Sequence, residues 1–170
     1  MQSKESTTFV HNSTLNKYKM KKILFTIICA LVTLTVSAQD LNSKGDNILG
    51  NYLSIKDGGK SKIKITKAAD GTYTAQVYWV ERALDADGNK RKDVKNPDKN
   101  LRNVDLDQVI LVKGLKYDAK KKEWNDTKIY DPGSGKIYSV DIEFKDAKTL
   151  KVYGNILGIG KTVYWTRLEE

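Results

Sequence analysis

The sequence has 170 residues, of which 30% are charged and 39% hydrophobic, with a formal net charge of +9. This length suffices for one domain with a hydrophobic core and hardly for two, and the composition fits a globular chain better than a disordered or membrane-embedded one. The chain contains one cysteine, Cys29, and one histidine, His11, and both precede the part that is expected to fold. Cys–His and Ser–His–Asp catalysis and zinc sites built on thiolate or imidazole are therefore excluded from that part.

The N-terminal segment has the pattern of a targeting signal. Two lysines precede a nearly continuous apolar run over residues 23–36, and two small residues, ending at Ala38, follow it. This order is typical of a cleavable secretory signal, and the run is shorter than the ~20 residues that a membrane span needs. We predict a signal peptide over residues 20–38, with residues 1–19 an extension that reflects a start site placed upstream of Met20.

This signal peptide would direct the protein to the periplasm or the medium and would be cleaved after Ala38. The mature chain would keep 132 residues, with 25 basic and 20 acidic side chains and a net charge of +5. It would have no cysteine, so its core must stabilise it without disulfides. We expect residues 39–47 to form a flexible N-terminus and residues 48–170 to form the domain, with no transmembrane span after cleavage.

From residue 48 onward, short stretches of alternating apolar and polar residues are separated by turn signals, as in a succession of strands. In the segment 72–80, this alternation would place Trp79 on the same face as Val77. The other segments predicted as strands lie at 50–55, 62–66, 128–131, 137–144, 150–152 and 162–166. The segment 109–115 is a continuous apolar run that fits a strand or a short helix.

About eight strands without a competing helical stripe predict an all-β domain, either a sandwich or a single antiparallel up-and-down barrel. Closing the sheet hides its edges most completely, and an eight-stranded barrel holds either packed side chains or one small ligand. Residues 83–103 interrupt the strands with ten charged residues. A loop this long within a compact domain is usually functional or disordered.

Two motifs resemble ligand sites but fit them poorly. The segment 154–162 resembles a phosphate loop, but Asn155 replaces the first required glycine and a strand follows instead of a helix, which favours a glycine-rich hairpin. The segment 85–89 resembles the start of a calcium loop. Lys90 and Asn96 stand where that loop requires Gly and Glu, which favours a turn.

The charged residues give no clear chemistry of their own. Asp141 and Glu143 lie two residues apart, like the paired carboxylates of a glycosidase, but their face is opposite an apolar one. This favours a solvated outer face with cross-strand ion pairs. The lysines are interspersed with acidic residues, so nucleic acid is not an expected partner. A weak affinity for anionic lipid headgroups is a better explanation of the excess positive charge. No motif indicates a cofactor or a metal ion.

The order of several short motifs resembles the DUF2147 family, a group of exported bacterial proteins of unknown function. The matching motifs are Gly50-Asn51-Tyr52, DVKNPDKNLR at 93–102, Gly114-Leu115, Trp124 with IYDPGSGKIY at 129–138, LKVYG at 150–154 and TVYWTR at 162–167. The sequence departs from the family pattern at two places, and both changes would alter a pocket rather than the fold. Tyr52 stands where Trp is frequent in the family, and residues 125–129 lack the glycines often found there.

The resemblance implies a lipocalin-like, calycin-type barrel that follows the N-terminal signal helix. In such barrels an aromatic residue on the first strand packs beneath an Arg from the last strand and closes one end, an arrangement that cation–π attraction stabilises. The resemblance therefore implies a structural, barrel-closing role for Gly50, Tyr52, Trp165 and Arg167.

We expect a monomeric, non-enzymatic protein that binds a small apolar or amphipathic ligand or a cell-envelope component, with the loop 83–103 at the barrel mouth. Aromatic side chains with polar atoms often line ligand sites, although they also fill small barrels. The candidate ligand-binding residues are Trp79, Asn96, Asp98, Arg102, Trp124, Tyr130, Asp131 and Tyr138.

Two alternatives stay open at this point. One is an envelope interaction or stress protein with a filled barrel, which acts through its surface and the charged loop. The other is a carboxylate-based envelope hydrolase that uses Asp131 or Asp98.

Overall fold

Alternating apolar and polar residues form eight antiparallel strands in the computed structural model, which describes residues 38–169. The strands are β1 (Gly50–Lys56), β2 (Gly59–Lys67), β3 (Tyr73–Val80), β4 (Ile110–Asp118), β5 (Glu123–Asp131), β6 (Lys136–Phe144), β7 (Thr149–Ile156) and β8 (Ile159–Arg167). The other elements are one short helix, α1 (Ala38–Leu41), and 3-10 turns at Gly45–Ile48, Lys99–Leu101 and Leu106–Gln108. Within these residues, no helix has the length and hydrophobicity required to cross a bilayer. The predicted signal peptide, apart from Ala38, and the extension before it lie outside the described residues.

Each strand pairs with the next one in sequence, and β1 also pairs with β8, so the sheet closes into an up-and-down barrel. The prediction of an all-β barrel of about eight strands is confirmed. The β1–β2 and β7–β8 hairpins turn at Asp57–Gly58 and Leu157–Gly158, where all four residues have positive φ. Turns of this kind match the twist of antiparallel strands. The second hairpin occupies the segment that resembles a phosphate loop.

Inward-facing side chains from all eight strands form one hydrophobic core, while charged residues alternate with them on the outer face. On that outer face, Glu143 and Lys151 form a cross-strand ion pair with 2.8 Å between Oε1 and Nζ. The buried core residues are Ile48, Tyr52, Ile63, Ile65, Tyr73, Ala75, Val77, Val112, Leu115, Trp124, Val140, Ile142, Phe144, Leu150, Val152 and Trp165.

Residues 39–47 differ from the flexible N-terminus that we expected, because they pack against one end of the barrel. The buried Asn42 side chain donates to the Phe144 carbonyl at 3.0 Å and accepts from the Phe144 amide at 2.7 Å. Asn42 thereby satisfies backbone groups at the end of β6. A buried side-chain amide with both partners fixes its own segment.

Three aromatic side chains of the barrel hold the same segment. The Trp124 indole donates to the Gly45 carbonyl at 3.0 Å, and the Tyr117 hydroxyl donates to the Asn42 carbonyl at 2.7 Å. The Tyr73 hydroxyl donates to the Asp46 carboxylate at 2.6 Å. The polar segment shows no apolar periodicity, so a sequence pattern could not reveal that these bonds would order it.

The first and last strands meet at this closed end through Arg167. Its guanidinium lies 5.2 Å from the ring centre of Tyr52 and 5.3 Å from that of Phe144. It donates to the Tyr52 hydroxyl at 2.7 Å and to the Leu49 carbonyl at 3.0 Å. Gly50 leaves room for the guanidinium, since a Cβ atom there would lie 3.3 Å from Nη1. The packed N-terminal segment and this arginine close one end of the barrel.

Candidate ligand-binding site

A cavity of about 400 Å³ extends into the barrel from the end opposite Arg167. Its inner wall is apolar because the strands place β-branched and aromatic residues inward at this level. Trp165 and Tyr138 contribute the large aromatic surfaces. The apolar residues of the wall are Ile63, Val77, Val80, Leu106, Leu111, Ile129, Val152, Val163 and Trp165.

The mouth of the cavity is charged. Alternate connections of an up-and-down barrel share one end, so the β1–β2, β3–β4, β5–β6 and β7–β8 connections meet there. Five cationic and three anionic side chains line this rim, which gives it an excess of two positive charges. The cationic residues are Lys56, Lys60, Arg82, Arg91 and Lys161, and the anionic residues are Asp57, Glu81 and Asp131.

Most of the rim charges are matched in pairs. Lys56 Nζ lies 2.6 Å from Asp131 Oδ1, and Lys60 Nζ lies 2.9 Å from Glu81 Oε1. Lys161 Nζ is 3.9 Å from the exposed carboxylate of Asp57. These three pairs account for every carboxylate on the rim.

Asp131 is held in its ionised form. Burial disfavours the charged carboxylate, but hydrogen bonds from Lys56 and Ser134 outweigh it and hold the pKa of Asp131 below its usual range. The backbone amide of Gly133 also donates to this carboxylate, at 3.2 Å. Asp131 therefore fixes the β5–β6 turn and the position of Lys56 at the mouth.

Arg82 and Arg91 differ from the other rim cations. Arg82 Nη2 donates to the Gly58 carbonyl at 3.2 Å, and Arg91 Nη1 donates to the Arg82 carbonyl at 3.3 Å. Among residues 38–169, neither guanidinium forms an ion pair with a carboxylate. Both side chains are exposed and line the cavity mouth.

The long loop 83–103 is fastened to the barrel by a buried carboxylate. Asp93 is 1% exposed and accepts hydrogen bonds from the Tyr130 hydroxyl and the Asn96 amide, both at 2.7 Å. Burial, together with the Asp93 carboxylate, raises the pKa of Tyr130, so this tyrosine stays a hydrogen-bond donor. The contact joins the two longest motifs of the sequence, at 93–102 and 129–138.

A second contact between the same motifs depends on a glycine. Gly135 has φ of +71°, and a Cβ atom there would lie 2.5 Å from the Lys95 carbonyl oxygen. Lys95 Nζ donates to the Gly133 carbonyl at 2.6 Å. Only glycine permits both this backbone conformation and this close approach of the loop.

Three of the predicted ligand-binding residues, Tyr130, Asp131 and Tyr138, line the cavity. The structure does not bring the other five to it. Asn96, Asp98 and Arg102 hold the loop together: Arg102 donates to the Asn96 carbonyl, and Asp98 accepts from the Asn100 amide. Trp124 is fully buried at the closed end, and Trp79 lies on the outer face.

Trp79 lies outside because a β-bulge interrupts the alternation of β3. Lys62 pairs with Trp79 and Ile63 pairs with Val77, so Tyr78 is the extra residue. A bulge reverses the facing of the residues beyond it. Val80 therefore lines the cavity, while Trp79 packs beneath Lys62, whose Nζ lies 5.2 Å from the ring centre.

The cationic rim was not among the features predicted from the sequence. Its residues lie at strand ends beside hairpin turns, where the period of two gives no signal. The predicted topology could have indicated this rim, because the turns after odd-numbered strands share one end of an up-and-down barrel. At the candidate calcium loop, Asp85 accepts from the amides of Asp87 and Asn89, as a turn-forming residue does.

A closed eight-stranded meander with one plugged end and one internal cavity defines a lipocalin-like barrel. The solved structure of protein HP1028 from the human pathogen Helicobacter pylori, described as belonging to the lipocalin family, matches this chain with a TM-score of 0.57 and 26% identity. The match covers 72% of this chain and 84% of that one.

Residues 50–167 match the model of the DUF2147 family, described as uncharacterized proteins conserved in bacteria. The chain belongs to this family, as its motifs indicate. The match begins at the first strand and ends at Arg167, so it covers the whole barrel. Comparison with curated proteins gave no match.

Proposed function

We propose that this protein is a non-enzymatic binding module that holds one small apolar or amphipathic molecule inside its barrel. The observation that carries the proposal is the cavity of about 400 Å³, with an apolar wall and a polar rim. Pockets for small ligands usually measure roughly 300–1,000 Å³ and combine an apolar lining with a few polar groups at one side. The lipocalin-like fold and the membership of the DUF2147 family support the same class of function.

The cavity also favours this proposal over the alternative of a filled barrel that acts through its surface. Side chains fill the barrel near Arg167, where Trp124, Tyr52 and Phe144 are buried. At the opposite end, Val163 and Ile129 are only half-buried although they point inward. Inward-facing apolar side chains without full packing leave surface for a ligand to cover.

Hydrolysis by Asp131 or Asp98 is less well supported. A general acid needs a raised pKa and reach to its substrate, whereas Lys56 and Ser134 keep the pKa of Asp131 low. The Asp98 side chain accepts from the Asn100 amide at 2.9 Å, outside the cavity. Neither carboxylate has the environment of a catalytic acid.

Export remains part of the proposal, on the basis of the sequence pattern at residues 20–38. The mature protein should then begin at Gln39, whose segment packs onto the closed end of the barrel. Mass measurement of the protein purified from its own host tests this point, because a chain that keeps residues 20–38 contradicts export by a cleaved signal.

The binding proposal is tested by titrating the protein with a fluorescent apolar probe and comparing two tryptophan variants of β8. Val163→Trp would fill the cavity, since Val163 lines it and is only half-buried. Thr162→Trp adds the same ring on the exposed outer face of the same strand. We expect saturable binding of one probe per chain in the wild type and in Thr162→Trp, and a loss of at least about tenfold in Val163→Trp. Equal probe binding by both variants would contradict a site inside the barrel.

A further inference from the structure

We propose that the ligand has an anionic head, a carboxylate or a phosphate, and that Arg82 and Arg91 bind this head at the cavity mouth. The inference rests on the proposed function, because it names the class of molecule that the barrel would hold. The observation behind it is separate from the cavity: these are the rim cations that form no ion pair with a carboxylate among the described residues.

The fold brings the two arginines together although they lie nine positions apart in the sequence. Arg82 follows the end of β3, and the chain then turns through residues 85–89 and runs back. The Arg91 amide donates to the Ala83 carbonyl at 2.8 Å, and Leu84 and Lys90 form an antiparallel bridge. This small hairpin places the Arg91 guanidinium 3.3 Å from the Arg82 carbonyl.

Two like charges held at one rim repel each other, and an anion between them would relieve the repulsion. The lysines of the rim already have such an anion from the chain itself, in Asp131, Glu81 and Asp57. Among residues 38–169, the two arginines donate hydrogen bonds to backbone carbonyls and form no ion pair with a carboxylate. The Arg82 charge acts on Glu81 at longer range and helps to lower the pKa of that carboxyl, which is already paired with Lys60. Each guanidinium has five N–H donors, so most of its donors remain available to a ligand.

The chemistry of the guanidinium selects the head group. Its planar fork of N–H donors matches two oxygen atoms of a carboxylate or a phosphate. Because both arginines are exposed at the rim, the head would stay in contact with water while the tail occupies the apolar cavity. That placement avoids the cost of burying a charge. The ligand class is therefore a single-chain amphiphile with an anionic head.

The experiment measures displacement of the apolar probe by three molecules with the same tail: dodecanoate, dodecyl phosphate and dodecanol. The test variant is Arg82→Gln/Arg91→Gln. The control variant, Lys64→Gln/Lys128→Gln, removes the same two charges from exposed positions on the outer faces of β2 and β5. The single variants Arg82→Gln and Arg91→Gln are included in case the double variant folds poorly.

In the wild type, we expect one or both anionic molecules to bind at least about tenfold more tightly than dodecanol. The test variant should lose that preference and bind both anions no more tightly than it binds dodecanol, and each single variant should lose part of the preference. The control variant should behave as the wild type does. The anion that binds more tightly identifies the head as carboxylate or phosphate.

Equal binding of dodecanol and both anions by the wild type would overturn the inference and leave the proposed function intact. Anion preference retained in the test variant, or lost equally in the control variant, would also overturn it. If none of the three molecules displaces the probe, or no probe binds at all, the proposed function fails and the inference fails with it.

Discussion

The Arg167 guanidinium stacks over the ring of Tyr52 at 5.2 Å and also donates to its hydroxyl at 2.7 Å. The Tyr52 hydroxyl in turn donates to the Ile48 carbonyl at 2.7 Å. One arginine from the last strand thus joins the first strand and the segment that precedes it. Burial raises the pKa of Tyr52, against the opposing effect of Arg167, so the hydroxyl remains a donor.

We expect Arg167→Lys to lower the free energy of unfolding by about 2–3 kcal/mol, because a lysine cannot reproduce the several directed hydrogen bonds of the guanidinium. Tyr52→Phe should cost about 1–3 kcal/mol, because it leaves the Ile48 carbonyl and one N–H group of Arg167 without their partner. Urea unfolding measures both changes.

The control for this prediction is Lys148→Gln, which removes the exposed ion pair between Lys148 and Glu169. Exposed ion pairs contribute little to stability. A similar loss of stability in Lys148→Gln and Arg167→Lys would show that the Arg167 contacts have no special role in closing the barrel.

Gly135→Ala should destabilise the attachment of the long loop. The new Cβ atom would lie 2.5 Å from the Lys95 carbonyl oxygen, at a φ of +71°. Gly71→Ala is the matched control, since Gly71 has φ of +83° and open space around its Cβ position. The control should cost about 1 kcal/mol from backbone strain alone, and Gly135→Ala should cost more. Hydrogen exchange should also rise across residues 83–103 in Gly135→Ala only, and an unchanged exchange rate there would argue against this attachment.

Tyr130→Phe should change how stability depends on alkaline pH. Burial and Asp93 raise the pKa of Tyr130, so the protonated phenol is favoured in the folded state. Its contribution is fully present below the ordinary tyrosine pKa of about 10 and is lost as the pH rises towards the raised value. The stability difference between wild type and Tyr130→Phe should therefore shrink above about pH 10, by at most about 1.4 kcal/mol per pH unit. A difference that stays constant from about pH 8 to about pH 11 would contradict the bond to Asp93.

Replacing Asp131 and replacing Asp141 by Asn should have different effects on the free energy of unfolding and on its dependence on acid pH. Lys56 and Ser134 hold the pKa of Asp131 low despite its burial, so its contribution is present above about pH 4 and is lost as the pH falls. Asp131→Asn should thus destabilise the protein at neutral pH, and the difference from wild type should vanish in acid. Asp141 is exposed on the outer face, but partial desolvation and the nearby Glu123 carboxylate raise its pKa, so Asp141→Asn should not destabilise the protein at neutral pH. Urea unfolding at several pH values measures both, and effects of the same sign would contradict these assignments.

The strands and their closure could be predicted because each follows from local pattern: alternation gives a strand, and glycine marks its turn. Trp79 shows the limit of this reasoning, since one bulged residue, Tyr78, reverses the facing of its neighbours. The packing of residues 39–47 against the closed end could not be predicted, because long-range hydrogen bonds to Trp124 and Phe144 order this segment.

The candidate site was predictable in part for the same reason. Tyr130 and Asp131 follow a strand and reach the mouth by topology. Asn96 and Arg102, however, belong to a motif that fastens the loop to the barrel. Arg82 and Arg91 become neighbours only through a hairpin inside that loop, which no periodicity in the sequence marks.

Native mass spectrometry of the protein from its own host, before and after delipidation, shows whether the barrel holds a ligand. An occupied barrel predicts one discrete extra mass per chain, which delipidation removes and which an added amphiphile restores. The Val163→Trp variant should carry no extra mass, and Thr162→Trp should carry it as the wild type does. A clean unliganded mass that no added amphiphile changes would contradict a ligand-binding barrel.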